Sequence, residues 1–137
     1  MKRFYVDTCI WVDLYEDRKG FNGEKLGKYA FDLLIKIKLD NSLIVISELT
    51  IKELGSIYSL KEVISLLKPF KSFLKHIVPT KQEKDEAVKI ANTRNLPKGD
   101  VLHAILARNH NSTLVTRDNY FKELVDISDF FKPEDLV

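Results

Sequence analysis

Short apolar runs alternate along this chain with segments in which apolar residues recur at helical spacing. The apolar runs predict buried strands at residues 4–6, 43–46 and 113–116, a weaker strand at 76–78 and an edge strand at 124–127. Helical spacing predicts helices over residues 24–39, 61–68 and 100–108 and one with Ala87, Ile90 and Ala91 on its apolar face. Ser47 is placed to cap a further helix that follows the second strand.

This order of elements is typical of an α/β domain. The main strands are apolar throughout rather than alternating, as expected for a parallel sheet covered by helices on both faces. A chain of 137 residues suits one core of ordinary size, and we expect residues 1–137 to form a single domain. Such sheets bind their ligands beyond the carboxyl ends of the strands, so polar residues at those ends are the candidates for function.

Composition gives expectations about the location of the protein but does not indicate its function. No apolar stretch approaches the roughly 20 residues that a membrane span needs, and Asp7 comes too early for the apolar region of a signal peptide. Cys9 is the only cysteine, so an internal disulfide is excluded and a reducing, cytoplasmic location is the expectation. A net charge of +2 permits binding to nucleic acid but does not by itself argue for it.

Four acidic residues stand where the predicted strands end or the next helices begin. Asp7 directly follows the first strand, Asp118 follows the strand at 113–116, Glu53 lies about two helical turns beyond the second strand, and Asp100 opens a helix. Strand ends and helix starts share one edge of such a sheet, so these acids are expected to lie close together. Ionised carboxylates repel each other by about 4 kcal/mol per pair at 4 Å. A divalent cation relieves that repulsion, and oxygen ligands favour Mg²⁺ or Mn²⁺ over zinc. We therefore expect Asp7, Glu53, Asp100 and Asp118 to be metal ligands and catalytic residues.

Each of these residues has a simpler interpretation when it is taken alone. A single Asp after a strand is usually a turn or cap residue, and a single Glu on a helix usually faces solvent. Thr8 and Thr116 either orient a carboxylate or a bound water, or are ordinary strand residues. We expect Cys9 to be a small buried residue and His103 to be a hydrogen-bonded structural histidine. The coincidence of four acids at one edge is what favours a functional site.

Four segments, in order, resemble the motifs of the PIN-domain family. Residues 4–8 (FYVDT) resemble its first strand and aspartate, and residues 47–54 (SELTIKEL) look like its strand-to-helix segment with the second acid. Residues 99–104 (GDVLHA) and 113–118 (TLVTRD) are similar to its third and fourth acidic motifs. Glu48 and Glu53 point about 140° apart on a helix, so only one can face the site, and the motif favours Glu53. The family often has another acid where this chain has Tyr120, so we expect a second metal position to have fewer carboxylate ligands.

The resemblance implies a three-layer α/β/α sandwich and a Mg²⁺- or Mn²⁺-dependent hydrolase that cuts phosphodiester bonds, usually in RNA. The chain length is similar to that of VapC-like toxins, which implies a homodimer and a small antitoxin partner. No activated side-chain nucleophile is evident, so water is the expected attacker. Arg117 or Lys98 is expected to hold the RNA backbone, and single-stranded or looped RNA is the expected substrate.

Three other functions fit parts of the sequence. A haloacid dehalogenase-type phosphatase also begins with an acid after its first strand, but it normally has a second Asp where this chain has Cys9. A receiver-like signalling domain would need a lysine after a late strand, and the segment at 116–118 has none. A catalytically silent PIN-like module that binds RNA or protein remains the main alternative, although all four acids are present.

Overall fold

Five parallel strands form one sheet at the centre of the computed structural model, which describes residues 1–137. The strands are β1 (Arg3–Val6), β2 (Leu43–Ser47), β3 (Leu74–Ile77), β4 (Thr113–Val115) and β5 (Phe130–Phe131). Their spatial order is β3-β2-β1-β4-β5, and every neighbouring pair is parallel. The first strand therefore lies in the middle of the sheet, and its carboxyl end lies between the ends of β2 and β4.

Six α-helices connect the strands. They are α1 (Thr8–Glu16), α2 (Leu26–Leu39), α3 (Glu48–Ile57), α4 (Leu60–Leu67), α5 (Lys81–Arg94) and α6 (Lys98–Asn109). Short 3-10 helices cover Lys68–Phe73, Asn119–Leu124 and Pro133–Asp135. No helix combines the length and the apolar composition that crossing a bilayer requires.

Two apolar cores lie on opposite faces of the sheet because successive strand residues point in opposite directions. Tyr5 of β1 packs with α5 and α6, whereas Val6, the next residue, packs with helices α1 to α4. Tyr5 is in register with Val45 and Leu114 on the neighbouring strands, and all three belong to the same core. The result is the three-layer α/β/α sandwich with a central parallel sheet that the sequence implied.

Most predicted elements are present with boundaries shifted by a few residues. The weak strand predicted at 76–78 begins earlier, at Leu74, and ends before Pro79, which has no N–H to donate to a neighbouring strand. The helix predicted to begin at Asp100 begins at Lys98, so that Asp100 lies in its first turn.

The edge strand predicted at 124–127 is wrong. Leu124 ends a 3-10 helix, and the chain then turns through hydrogen bonds from Ile127 and Ser128 back to the carbonyl of Leu124. The edge strand is instead Phe130–Phe131, which pairs with β4. Leu124 is fully buried in the core formed with α5 and α6. The apolar residue that suggested a strand therefore packs against these helices instead.

Helix α1 was not predicted from the apolar pattern. Ile10, Trp11 and Val12 are consecutive buried residues, so the helix lacks the one-sided spacing of an amphipathic segment. The local signal was Asp7, which caps this helix: its carboxylate accepts a hydrogen bond from the backbone N–H of Thr8 at 2.8 Å.

Candidate metal centre

Asp7 stands at the carboxyl end of the central strand and is almost completely buried. Its backbone N–H donates to the carbonyl of Val115 on β4 at 3.0 Å, which fixes the main chain between the two strand ends. The second carboxylate oxygen accepts a hydrogen bond from the Thr116 hydroxyl at 2.7 Å, while the first accepts from the Thr8 N–H. Both oxygens are thus held in place, and the residue is only 5% exposed.

Glu53 reaches the same place from helix α3. Its Oε1 accepts a hydrogen bond from the Thr8 hydroxyl at 2.5 Å and lies 2.8 Å from Nε2 of His103. A Cβ on Gly99 would lie 3.3 Å from the other Glu53 oxygen, so the glycine leaves room for the carboxylate. Glu48 points away into solvent, where its carboxylate is hydrogen-bonded to His76 at 2.8 Å.

His103 lies between these two carboxylates. One ligand atom from each of Asp7, Glu53 and His103 falls within 4.8 Å of the others. The ring is buried, its Nε2 lies 3.6 Å from Asp7, and its Nδ1 lies 2.6 Å from the Tyr5 hydroxyl. The sequence placed His103 three residues after Asp100 on the same helix face, which was the only local signal that it approaches the acids.

Asp100 and Asp118 lie outside this tight group but interact with it. Burial, followed by the negative charges of Asp118 and Asp7, raises the pKa of Asp100 to about 6. Asp118 follows β4 and caps a 3-10 helix by accepting a hydrogen bond from the Tyr120 N–H at 2.9 Å. The structure therefore brings Asp7 and Glu53 into direct proximity and places Asp100 and Asp118 within electrostatic range of each other.

The charges of Glu53 and His103 support one another. Burial alone would raise the pKa of Glu53, but the hydrogen bond from His103, the charge of its ring and the hydrogen bond from Thr8 lower it. Burial alone would lower the pKa of His103, but its hydrogen bond to Glu53 and the nearby carboxylates, above all Asp7, raise it. Glu53 is consequently held in its ionised, ligand-competent form.

The two threonines and Arg117 have different surroundings. Thr8 and Thr116 each donate a hydroxyl hydrogen to a carboxylate of the cluster, Thr8 to Glu53 and Thr116 to Asp7. Arg117 does not reach the cluster: its guanidinium makes two hydrogen bonds to Glu134, at 2.9 and 2.6 Å, and lies 3.3 Å from Asp13. The expected role of Arg117 in holding RNA therefore conflicts with a guanidinium already occupied by two carboxylates.

Cys9 packs beside the cluster. Its sulfur lies 3.5 Å from Asp7 and 3.6 Å from the Thr116 hydroxyl. Burial, followed by the negative charge of Asp7, raises the pKa of the thiol to about 12. The side chain is therefore a protonated thiol at neutral pH and is not an activated nucleophile.

The donor set fits a divalent cation. Asp7 and Glu53 supply oxygen atoms that other hydrogen bonds already orient, and the pKa of Asp100 is raised by burial and then by the negative charges of Asp118 and Asp7. A cation placed among these oxygens would remove the repulsion, and carboxylate oxygens suit Mg²⁺ and Mn²⁺.

Comparison with known proteins gives one family and one fold. The family model of the PIN domain matches residues 4–127 of this chain. No curated protein gives a significant sequence match.

Three similar solved structures share the architecture. A VapBC2 complex of Rickettsia felis bound to a DNA fragment from its promoter is 24% identical, with a TM-score of 0.66 over 95% of this chain and 96% of that chain. A toxin–antitoxin complex from Klebsiella pneumoniae is 20% identical, with a TM-score of 0.64 over 95% and 97%. A Pyrobaculum aerophilum protein is 22% identical, with a TM-score of 0.65 over 98% and 86%.

Proposed function

Since the chain belongs to the PIN-domain family, we propose that it is a Mg²⁺- or Mn²⁺-dependent endoribonuclease that hydrolyses phosphodiester bonds in single-stranded or looped RNA. The observation that carries this proposal is the pair of oriented carboxylates, Asp7 and Glu53, at the carboxyl end of the central strand. The pKa of neighbouring Asp100, raised by burial and then by the negative charges of Asp118 and Asp7, supports the same conclusion.

We assign the metal ligands to Asp7, Glu53, Asp100 and Asp118, with Thr8 and Thr116 as the residues that orient two of them. A bound divalent cation would supply an activated water and stabilise charge on the phosphoryl oxygens. Asp7 and Glu53 accept hydrogen bonds from the Thr116 and Thr8 hydroxyls, which orient their carboxylates for a cation. Either Asp118 or Asp7 would orient the attacking water and accept its proton.

The exposed Lys98 is our candidate for holding the RNA backbone. It begins helix α6, two residues before Asp100, and no acidic side chain neutralises it. Backbone contacts of this kind weaken with salt. We propose a single-stranded or looped substrate, because duplex RNA is stiff and hides its base edges.

A cleavage assay with a structured RNA tests the proposal. We expect cuts in loops that disappear with EDTA and return with Mn²⁺ or Mg²⁺, and we expect Asp7→Asn and Asp118→Asn to abolish them. Asparagine caps helices as well as aspartate does, so metal-free Asp7→Asn should melt at the parent temperature or above it. Cleavage that persists in EDTA or in Asp7→Asn would contradict the metal mechanism, and no cleavage at all would favour the silent PIN-like module.

Metal binding can be measured without RNA. A cation that binds only the folded protein raises its melting temperature, so millimolar Mn²⁺ should stabilise the parent and not Asp7→Asn. Calorimetry that detects neither Mn²⁺ nor Mg²⁺ binding to the parent would contradict the proposed metal site.

We further propose that this nuclease is the toxin of a toxin–antitoxin pair, and that it acts in the cytoplasm as a homodimer of single-domain chains spanning residues 1–137. The fold shared with the Rickettsia felis and Klebsiella pneumoniae complexes supports this proposal. A small reading frame next to the gene, whose product co-purifies with the chain and suppresses RNA cleavage, is the expected result. A chain that is monomeric by light scattering would contradict the dimer.

A further inference from the structure

A chain of buried hydrogen bonds runs behind the carboxylates, from helix α3 through the sheet to helix α6. The Thr50 N–H donates to the Ser47 hydroxyl at 3.2 Å, and that hydroxyl lies 2.7 Å from the hydroxyl of Tyr5. The Tyr5 hydroxyl lies 2.6 Å from Nδ1 of His103, whose Nε2 faces Glu53 at 2.8 Å. These contacts join residues of β1, β2, α3 and α6 around one imidazole ring.

All members of this hydrogen-bonded chain are shielded from water except Glu53, whose side chain is 35% exposed. Tyr5, Ser47 and Thr50 are fully buried, and His103 is 1% exposed. Buried polar groups without partners are costly, so each buried donor has to form a hydrogen bond with the next group of this network. The Ser47 hydroxyl also lies 3.3 Å from the Thr50 hydroxyl, so the hydrogens are constrained by Thr50 at one end and by the Glu53 carboxylate at the other.

The Glu53 end determines which atom of His103 carries hydrogen. A carboxylate that ligates a cation is ionised and can only accept, so the 2.8 Å contact requires a hydrogen on Nε2 of His103. At the other side of the ring, the Tyr5 hydroxyl can donate to Nδ1 or accept from it, because the Ser47 hydroxyl can donate either to Tyr5 or to the Thr50 hydroxyl. Nε2 thus keeps its hydrogen in either arrangement and has no lone pair for a cation.

We propose, on the basis of the metal-dependent function above, that His103 is a positioning residue whose Nε2–H holds Glu53 for the cation and that His103 is not itself a ligand. Tyr5, backed by Ser47, fixes the plane of the imidazole ring. Although His103 falls within the same 4.8 Å group as Asp7 and Glu53, its hydrogen faces that group. The cation would then be held by oxygen atoms alone, which agrees with the preference of Mg²⁺ and Mn²⁺.

Matched substitutions separate this role from packing. In His103→Gln the side-chain amide replaces Nε2 and can still donate to Glu53, whereas in His103→Asn the amide remains near Tyr5 but is too short to reach Glu53. Loss of a residue that orients a ligand typically weakens metal binding by about 10- to 100-fold. We therefore expect calorimetry to show Mn²⁺ binding about tenfold weaker in His103→Asn, near the parent value in His103→Gln, and intermediate in Tyr5→Phe.

Spectroscopy of the parent protein tests the same point without a variant. Pulsed electron paramagnetic resonance of bound Mn²⁺ reports a directly coordinated imidazole nitrogen through its strong coupling, and we expect no such coupling. In the metal-free protein, ¹⁵N NMR should show a hydrogen on Nε2 of His103. If His103→Asn does not fold, Tyr5→Phe and these two spectra still decide the question.

Each contrary result has a defined meaning. A directly bound nitrogen in the Mn²⁺ spectrum, or an Nε2 without hydrogen, would overturn the positioning role. Unchanged Mn²⁺ affinity in both His103→Asn and Tyr5→Phe, with only a lower melting temperature, would reduce the chain to a structural element. Those results leave the nuclease proposal intact, whereas failure of the parent to bind Mn²⁺ at all would overturn the proposed function and this inference together.

Discussion

At the scale of single residues, Asp100 is a carboxyl group whose ionisation is opposed by burial and by neighbouring negative charges. Its pKa is raised to about 6 by burial and by the charges of Asp118 and Asp7, whereas an aspartate in an unfolded chain titrates near 3.9. Between about pH 4 and pH 6 the folded state therefore binds more protons than the unfolded state. By linkage, this carboxyl reduces the stability of the metal-free protein as pH rises through that interval, and the full reduction is present above about pH 6.

Asp100→Asn removes that charge, so we expect it to raise the melting temperature of the metal-free protein at about pH 8. The gain should shrink as pH falls through about 6, because the native side chain becomes neutral as well. Thermal unfolding of both proteins in EDTA at several pH values measures this difference. A gain of equal size at about pH 4 and pH 8 would mean that Asp100 is not under electrostatic strain.

Glu53 and Glu48 offer a second comparison between residues of one helix. Glu53 accepts hydrogen bonds from Thr8 and lies against His103, whereas exposed Glu48 contacts only His76. We expect Glu53→Gln to lower cleavage by about 100-fold or more, because a ligand charge is lost, and Glu48→Gln to stay near the parent rate. Initial rates with saturating Mn²⁺ provide the measurement. The reverse pattern would transfer the ligand role to Glu48.

At the scale of elements, the start of helix α2 packs tightly against the end of helix α1. A Cβ on Gly27 would lie 2.6 Å from the Cα of Asp17 and 2.8 Å from the carbonyl oxygen of Asp13. Both are backbone atoms, which cannot move aside as the tip of a side chain can. The glycine is therefore required for the close approach of these two helices.

Gly27→Ala should destabilise the protein by about 1–3 kcal/mol, the usual cost of forcing extra atoms into a packed interface. Gly55 provides the matched control, because it lies in helix α3 and a Cβ there would meet nothing within 4 Å. Gly55→Ala should stabilise by about 0.5–1 kcal/mol through the lower entropy of the unfolded chain. Urea unfolding of both variants gives the comparison, and similar free energies for the two would refute the packing argument.

At the scale of the whole molecule, Arg117 ties the C-terminal turn to helix α1 and to the segment after β4. It makes two hydrogen bonds to Glu134 and lies 3.3 Å from the buried Asp13. The contact with Asp13 lacks good hydrogen-bond geometry, so most of the orientation comes from Glu134. Arg18 is the only other cation near Asp13, at 3.9 Å.

Arg117→Ala would leave Asp13 buried with one distant partner, and we expect a loss of about 3 kcal/mol in unfolding free energy. Arg94→Ala is the control: its pair with Asp126 is exposed, with side chains 36% and 59% accessible, so the loss should be below about 1 kcal/mol. Chemical denaturation distinguishes the two. An Arg117→Ala protein as stable as the parent, but with weaker RNA binding, would restore the role first expected for this residue.

The sequence by itself determined features that depend on neighbouring residues. Apolar runs located β1, β2 and β4, helical spacing located most helices, and the α/β order implied the parallel sandwich that the structure has. The four acids were found because parallel strands bring their carboxyl ends to one edge of the sheet. Ser47 was recognised as a cap for a different reason, because capping is a local contact between residues three apart.

Only the tertiary structure decided what lies around those acids. Tyr5 and His103 are 98 residues apart in sequence, and His103 and Glu53 are 50 apart, so no local pattern reports their contacts. The pairing of Arg117 with Glu134 and the position of the true edge strand depend equally on the return of the C-terminal segment. Composition and spacing constrain which side chains a helix or strand presents, but the partners that satisfy a buried polar group are fixed by how those elements pack.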